Sequence, residues 1–468
     1  MSLQRIERCC RSAAGGVLLS LATWTPLAWA APAEYTVKQV SDDHFFSRDP
    51  VISDTGFAAW SAYHSEDGED SASDIHVYDN GQQRSLTGGN VPVGTTHYRP
   101  CVYSNTAAWI GSFPYPKTGE GNWVLKEVPA EVRDAPYEEL VAFPEYMTTN
   151  AVPTEPVTNA PAAETPGEPP PGAPADEAAA EEVGGPDSAR RHPSGVMESV
   201  AWFGDEIKRI SYDWRNDFGV SLWGRTLAWQ KSKGFPFGWE IMVWNDGTMY
   251  QLTTNFFYDM APQVQGTQIA WYGWDGNDYE IYLHDFAAGT TMAITSNRYD
   301  DVSPVLWDGQ VAWEAYPGAD AEVYLWKEGR FQRLSDNPWD DTNPRIWNGK
   351  VVWQGFDGDD FEIYLFDGVK SVKLTSNRHD DVNPDIRDGL VCWMAYYDNW
   401  DSEIFAWDLD KGEYIAMINE EGQVGSTPGR LSYNEVEDRE PRTAGRRVIW
   451  QVQQEGKSLI MLAEPKAP

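Results

Sequence analysis

The chain has 468 residues and a formal net charge of −36, which argues against nucleic acid as a partner because a polyanion would be repelled. Its length is enough for about two or three ordinary domains, but an internal repeat covers most of the sequence and favours one closed body. The acidic balance fits cations, basic proteins or a salty milieu better, and the alternative is that the charge only keeps the protein in solution.

The N-terminus has the three parts of a secretory signal peptide. Three arginines precede an apolar run from Ala13 to Leu27, and Ala-Trp-Ala at residues 28–30 supplies a small-x-small cleavage site. We therefore expect residues 1–30 to be removed and residues 31–468 to be exported to the periplasm or the extracellular space. No later apolar run is long enough to cross a bilayer, so the mature chain is predicted not to span the membrane.

A unit of about forty residues is repeated, most clearly between Ile294 and Trp393. Each copy combines an Asn-x-x-x-Asp-x-x-Pro connection, a tight turn such as Trp-Asp-Gly, and short alternating runs of apolar and polar residues. This pattern indicates an all-β fold, a single β-propeller of four-stranded blades. One tryptophan recurs per unit, and we expect these rings to pack against one another between blades: Trp60, Trp109, Trp229, Trp271, Trp313, Trp353, Trp393 and Trp450.

Taken in order, the chain gives eight such units, so eight blades are predicted, with seven as the alternative. The second unit is interrupted by residues 129–195, which are rich in Pro, Ala and Glu and are predicted to be a disordered insertion. The last unit lacks a fourth strand. The lone strand Tyr35 to Val40 is expected to supply it, which closes the ring and removes exposed strand edges.

The Asn-x-x-x-Asp-x-x-Pro connection, the Trp-x-Gly turn and the Glu-Ile-Tyr-Leu-x-Asp strand resemble the TolB-like propeller repeat. This resemblance covers nearly all of the mature chain outside the insertions, and it implies the propeller fold. It does not imply one function, because the repeat occurs in periplasmic binding proteins, peptidase accessory domains and carbohydrate-cleaving enzymes.

One face of the predicted propeller carries all of the long connections. In a four-stranded meander, the loops between strands 2 and 3 lie on the same side as the loops that lead to the next blade. The insertion at 129–195 and the acidic runs at 275–280 and 357–362 belong to the first kind, and the Asn/Asp/Pro connections belong to the second. Binding residues concentrate on variable loops held by a rigid scaffold, so this face is the candidate site.

Aromatic and arginine side chains vary between units just before the recurring Asp. On a rigid loop they are suited to stacking on a sugar or anchoring a partner protein, and the alternative is a hydrophobic plug between loops. The predicted ligand-binding residues are Phe257, Arg298, Tyr299, Trp339, Arg378 and His379.

Two acidic loops have oxygen ligands at alternating spacing, as calcium sites do, although neither has the full EF-hand pattern. The alternative is a pair of solvated turns, and no cofactor is certain. The candidate calcium ligands are Asp275, Asn277, Asp278, Asp357, Asp359 and Asp360. The recurring Asp of the connections and the Glu that begins the third strand are interpreted as structural, because they repeat in most units.

No Gly-x-Ser-x-Gly, metal-spaced His pair or phosphate loop is present in the sequence. The first hypothesis is an exported, monomeric, non-enzymatic propeller that binds a protein or polymer, such as a polysaccharide, on its loop face. The alternative is a carbohydrate-active enzyme, a polysaccharide lyase or glycosidase with a structural calcium ion. The candidate contributors to its catalysis are His97, Tyr98, Arg99, Tyr299 and His379. A purely structural cell-envelope protein is a third possibility.

Overall fold

A computed structural model describes residues 34–42, 44–64, 73–88, 96–114, 195–204, 206–211, 215–233, 238–255, 257–397, 401–418, 425–454 and 457–466. Within these ranges every regular element is a β-strand, and no helix is long and apolar enough to cross a membrane. The predicted signal peptide, residues 1–30, lies outside the described residues. So does the predicted disordered insertion, except that Gly195 begins a strand.

The strands follow one another in antiparallel groups of four, which are the predicted blades. Blades 3 to 7 are separate sheets, and short parallel pairings join blades 8, 1 and 2 into one larger sheet. The first strand is β1 (Glu34–Gln39). Blade 1 is β2 (Phe46–Ile52), β3 (Ala58–Tyr63), β4 (Ser73–Asp79) and β5 (Gln82–Ser85). Blade 2 is β6 (Thr96–Tyr103), β7 (Thr106–Pro114), β8 (Gly195–Trp202) and β9 (Ile207–Arg209). Blade 3 is β10 (Asp217–Trp223), β11 (Thr226–Ser232), β12 (Trp239–Asn245) and β13 (Thr248–Gln251).

Blades 4 to 6 have the most regular sequence. Blade 4 is β14 (Asp259–Gln265), β15 (Gln268–Trp274), β16 (Tyr279–Asp285) and β17 (Thr290–Ala293). Blade 5 is β18 (Asp301–Trp307), β19 (Gln310–Ala315), β20 (Glu322–Lys327) and β21 (Arg330–Arg333). Blade 6 is β22 (Asp341–Trp347), β23 (Lys350–Phe356), β24 (Phe361–Phe366) and β25 (Ser371–Lys373).

The last two blades complete the ring. Blade 7 is β26 (Asp381–Arg387), β27 (Leu390–Tyr396), β28 (Ser402–Asp408) and β29 (Glu413–Tyr414), followed by β30 (Ala416–Met417). Blade 8 is β31 (Glu437–Ala444), β32 (Arg447–Gln454), β33 (Lys457–Pro465) and the N-terminal strand β1. The strands β7 and β8 pair directly, so residues 115–194 are inserted between strands 2 and 3 of blade 2, as predicted.

The N-terminal strand closes the ring as the sequence predicts. Along β1 and β33 the pairing is antiparallel, from Tyr35 opposite Pro465 to Gln39 opposite Met461. The propeller therefore has eight blades rather than seven among the described residues, and its first and last strands lie in the same sheet. This arrangement leaves neither chain end as an open edge.

The packing between blades differs from the Trp-on-Trp layer that the repeat suggests. The eight recurring tryptophans are all nearly inaccessible, at most 2% exposed. Yet Trp313 packs on Ala270 and Ile281 of blade 4, and Trp353 packs on Ala312 of blade 5. Neighbours along a strand point to opposite faces, so each blade presents a Trp to one neighbour and the preceding apolar residue, such as Ala312 or Val352, to the other.

Candidate functional site

The recurring Asn and Asp brace each loop that leads into a blade. In blade 5 the Nδ2 of Asn297 donates to Asp301 Oδ2, and the indole Nε1 of Trp313 donates to Asp301 Oδ1 at 2.7 Å. The Oδ1 of Asn297 accepts the backbone N–H of Tyr299 at 2.8 Å. The same three bonds recur in blades 4, 6, 7 and 8. These bonds account for the repetition of the Asp, and burial raises the pKa of Asp301 to about 6.

Blade 2 replaces this Asp with a histidine. The Nδ1 of His97 accepts the indole N–H of Trp109 at 2.8 Å, so in the neutral ring the proton lies on Nε2. The His97 side chain is fully buried, and burial lowers its pKa to about 4. Although the sequence makes His97 a candidate for catalysis, its place in the fold is that of the bracing Asp.

Two of the predicted ligand-binding rings are exposed but held in place. Phe257 and Trp339 are 40% and 43% exposed. Gly276 and Gly358, both at positive φ, lie beneath these rings, where a Cβ would come within 3.8 Å of Phe257 and 3.4 Å of Trp339. Trp339 also contacts Phe356 edge-on, with ring centroids 5.4 Å apart. Each ring is thus fixed between its Asn-braced loop and the neighbouring loop between strands 2 and 3.

The other predicted ligand-binding residues are placed differently. Tyr299 is partly buried with Tyr272 and Tyr324, which fits the hydrophobic plug. The ring of His379 lies 4.4 Å from that of Tyr397 between centroids. Each aromatic candidate contacts side chains or backbone near its own loop, and no ring contact among the described residues joins two of them. The remaining candidates, Arg298 and Arg378, are exposed.

A cleft of about 430 Å³ lies beside Trp339. Its lining includes Phe356, Asp357, Tyr364 and Lys373. It therefore combines an exposed indole with a second aromatic ring and with charged groups, a mixture suited to a polar ligand with a flat apolar face.

The two predicted calcium loops share a backbone geometry. In blade 4, Asp275 Oδ1 accepts the backbone N–H of Asn277 at 2.8 Å, and in blade 6, Asp357 Oδ1 accepts that of Asp359 at 2.9 Å. Asn277 and Asp359 are exposed at the loop tips. In each loop three carboxylates place one oxygen apiece within 4.8 Å of one another: Asp275, Asp278 and Glu280 in blade 4, and Asp357, Asp360 and Glu362 in blade 6.

The third member of each group, Glu280 or Glu362, was not a predicted ligand, because both belong to a series of glutamates interpreted as structural. Six blades have such a Glu near the start of the third strand, each at most 2% exposed. In five of them a cationic side chain pairs with it. These pairs are Arg209–Glu198, Lys233–Glu240, Arg333–Glu322, Lys373–Glu362 and Arg430–Glu403.

Blade 4 is the exception among the described residues, since no ion pair involves Glu280. In blade 6, Lys373 lies opposite Tyr364 and its Nζ is 2.5 Å from Asp357 and 3.1 Å from Glu362. The residue in the same register of blade 4, opposite Tyr282, is Ala293. Burial and the neighbouring carboxylates raise the pKa of Asp278 to about 6, and burial raises that of Glu280 to about 7.

A bulge in the first strand of every blade places a residue with positive φ at the centre of the ring. The first strands contact one another around the ring, and the Nδ2 of Asn343 donates to the Oδ1 of Asn383 in the next blade at 3.2 Å. The backbone N–H of Asn343 donates to Glu314 Oε1 of the preceding blade at 2.6 Å. The eight bulge residues are Asp49, Arg99, Gly219, Ala261, Ser303, Asn343, Asn383 and Glu440.

The charged members of this central set lie on three consecutive blades, 8, 1 and 2. They are Glu440, Asp49 and Arg99. Burial and then the charge of Asp49 raise the pKa of Glu440, while nearby arginines, Arg99 included, oppose the rise. Burial and Asp49 also raise the pKa of Tyr63 beside them. Only Arg99 of this group was a candidate from the sequence, because the register of a bulge is not visible in a repeat.

The comparisons with known proteins concern the fold. No family model and no curated protein matches the sequence. The crystal structure of the computationally designed Ika8 protein is 11% identical over 92% of this chain and 98% of its own, with a TM-score of 0.50. The β-propeller domain of the Trilobed protease from Pyrococcus furiosus is 11% identical over 83% of this chain and 98% of its own, with a TM-score of 0.44. TolB from Acinetobacter baumannii is 14% identical over 49% of this chain and 60% of its own, with a TM-score of 0.31.

These identities are too low to transfer an activity. The eight four-stranded blades confirm the propeller that the repeat predicts, and the resemblance to TolB-like propellers is one of fold.

Proposed function

We propose that this chain is an exported, monomeric recognition propeller that binds a protein or polymer partner on the face formed by its long loops. The observation that carries the proposal is the exposure of Phe257 and Trp339, at 40% and 43%, on loops that are otherwise braced. A large ring that its neighbours already pack against loses less conformational entropy on binding than a free side chain does, and such rings dominate the affinity of many interfaces.

The net charge of the chain indicates which classes of partner it can bind. The net charge of −36 favours a neutral polysaccharide or a basic protein segment over an anionic partner. Export rests on the arginines, apolar run and cleavage site of residues 1–30.

The test compares loop-face variants with a matched control. Trp339→Ala and Phe257→Ala, singly and together, are compared with Phe331→Ala, which is 56% exposed on β21. Phe331 lies beside the turn between strands 3 and 4, on the opposite face. Binding of the mature protein to neutral polysaccharides and to basic proteins is measured by calorimetry. Loss of a central aromatic anchor costs about 2 kcal/mol or more, so the loop variants are expected to bind at least roughly thirtyfold more weakly.

Two outcomes would count against this function. One is an equal loss of affinity in Phe331→Ala, which would indicate a general change in stability rather than a contact. The other is retention of full affinity by the double loop variant, which would place the binding surface elsewhere on the chain.

A second candidate, a carbohydrate-active enzyme, is favoured by the charged group at the ring centre. Glu440, Asp49 and Arg99 lie on neighbouring blades and have no counterpart on blades 3 to 7. Two adjacent carboxyl groups, one with a raised pKa, are the components that glycoside cleavage requires, and an arginine suits an acidic sugar. Release of reducing ends or unsaturated sugars from a polysaccharide panel, abolished in Glu440→Gln and Asp49→Asn, would support it. Absence of turnover by the wild-type protein would exclude it for those substrates.

A further inference from the structure

We propose that the loop between β15 and β16 of blade 4 binds a divalent cation, Ca²⁺, through the carboxylates of Asp275, Asp278 and Glu280. One oxygen of each lies within 4.8 Å of the others. The loop also contains Gly276, which lies beneath Phe257, but its three carboxylates are not part of the aromatic surface on which the proposed function rests.

The first support is that three buried carboxylate oxygens of this loop accept no hydrogen bond from the described residues. Asp278 is 6% exposed and Glu280 is 1% exposed. Both carboxylate oxygens of Asp278 and the Oε2 of Glu280 are buried without a hydrogen-bond partner among the described residues. An ionised carboxylate buried in this way is costly unless a cation accompanies it. The three groups converge, so one cation suffices for all of them.

The second support comes from blade 6, where the protein supplies the cation itself. The ammonium of Lys373, on β25, lies 2.5 Å from Asp357 and 3.1 Å from Glu362. The loop that begins at Asp357 has the same Asx-turn geometry as the loop of blade 4. Blade 4 keeps the acidic loop but has Ala293 in the register of Lys373. A charge that the fold provides in blade 6 is therefore missing from blade 4, and a bound ion replaces it.

The donor set indicates which ion. All three side chains are carboxylates, the hard oxygen ligands that Ca²⁺ prefers over nitrogen or sulfur. Asp275 is exposed, and its Oδ1 is engaged by the backbone N–H groups of Asn277 and Asp278, which leaves Oδ2 for the ion. The exposed side of the loop admits water, which completes the six to eight oxygens of a calcium shell.

The test replaces the ion with a tethered ammonium. Ala293→Lys puts in blade 4 the side chain that Lys373 places in blade 6, and the control Ala288→Lys adds the same charge at the turn between β16 and β17. Ca²⁺ binding to the EDTA-treated mature protein is measured by calorimetry. Tb³⁺ serves as a second probe, since Trp274 and Tyr279, with rings 5.2 Å apart, flank the loop and can sensitise its emission.

We expect Ala293→Lys to lose one Ca²⁺ site and the Tb³⁺ emission excited through these rings, and to unfold at a higher temperature than the wild-type protein in EDTA. Ala288→Lys should keep both signals. Asp278→Asn should weaken Ca²⁺ binding by about tenfold or more, because each carboxylate carries much of the charge of the site. This variant also decides the matter if Ala293→Lys does not fold. A wild-type protein that binds no Ca²⁺, or unchanged binding in Ala293→Lys and Asp278→Asn, would overturn the proposal.

Discussion

The contribution of the Trp–Asp hydrogen bond of blades 4 to 8 to stability can be measured by comparing two tryptophans. Trp353 donates its indole N–H to Asp341 Oδ1 at 2.7 Å, and both residues are at most 1% exposed. Trp229 occupies the same position of blade 3 and is equally buried, but its Nε1 has no hydrogen-bond partner among the described residues. Replacement by Phe removes the indole N–H in both cases, but it breaks a hydrogen bond only in blade 6.

The magnitude follows from the difference between the two sites. Both substitutions remove the same volume from a buried interface, so the packing contributions largely cancel. Trp353→Phe also leaves a buried carboxylate without one of its donors, and hydrogen bonds to charged groups contribute about 1.5–3 kcal/mol. Trp353→Phe is therefore expected to lower the free energy of unfolding by about 2 kcal/mol more than Trp229→Phe.

The assay is equilibrium urea unfolding of the mature protein, followed by far-ultraviolet circular dichroism at pH 5 and pH 8. Burial already raises the pKa of Asp341 to about 6, and loss of the Trp353 donor should raise it further. A raised carboxyl pKa in the folded state costs stability as pH rises, so the difference between the variants should be larger at pH 8 than at pH 5. Equal losses in both variants at both pH values would refute the reasoning.

Three further predictions concern the acidic loops and the closure of the ring. Lys373→Ala leaves Glu362 buried without its cation, so the free energy of unfolding should fall by about 1–3 kcal/mol. Added Ca²⁺ should restore part of this loss. A variant as stable as the wild-type protein would contradict the prediction. The pKa of Asp278 is raised to about 6 and that of Glu280 to about 7, so the stability of the protein in EDTA should decrease as the pH rises from about 4 to about 7. Thermal unfolding should show a smaller decrease in Asp278→Asn than in the wild-type protein. Identical pH profiles of the two proteins would count against the cluster. Deletion of residues 34–40 removes β1 and exposes the edge of β33. The midpoint of thermal unfolding should therefore fall, and light scattering should detect self-association through the exposed edge. A monomer of unchanged stability would show that the closure of the ring is dispensable.

The fold was predictable because its signals are local and repeated. The spacing from Asn297 to Trp313 recurs in other blades because each copy makes the same bonds through Asp301. The missing fourth strand of blade 8 and the spare strand at Tyr35 are complementary, so ring closure could be inferred from counting alone.

The candidate site was only partly predictable. Phe257 and Trp339 are exposed on the expected loops, whereas Tyr299 packs with Tyr272 and Tyr324. All are aromatic residues at the same position of the repeat, but a glycine of the neighbouring loop faces Phe257 and Trp339, whereas Tyr272 of β15 and Tyr324 of β20 pack against Tyr299. The sequence repeat does not show which residue of another loop or strand will pack against the aromatic ring.

The sequence by itself determined the propeller architecture, the position of the insertion and the face that carries the long loops, because these follow from periodicity and strand order. The pairing of β1 with β33 in the structure then decided for eight blades over seven. Only the tertiary structure decided which repeated residues differ in role. It set Lys373 against Glu362, left Glu280 without an ion pair among the described residues, and brought Glu440, Asp49 and Arg99 together between the last blade and the first two. The physical reason is that charge compensation depends on contacts between strands and blades, and residues distant in sequence make those contacts.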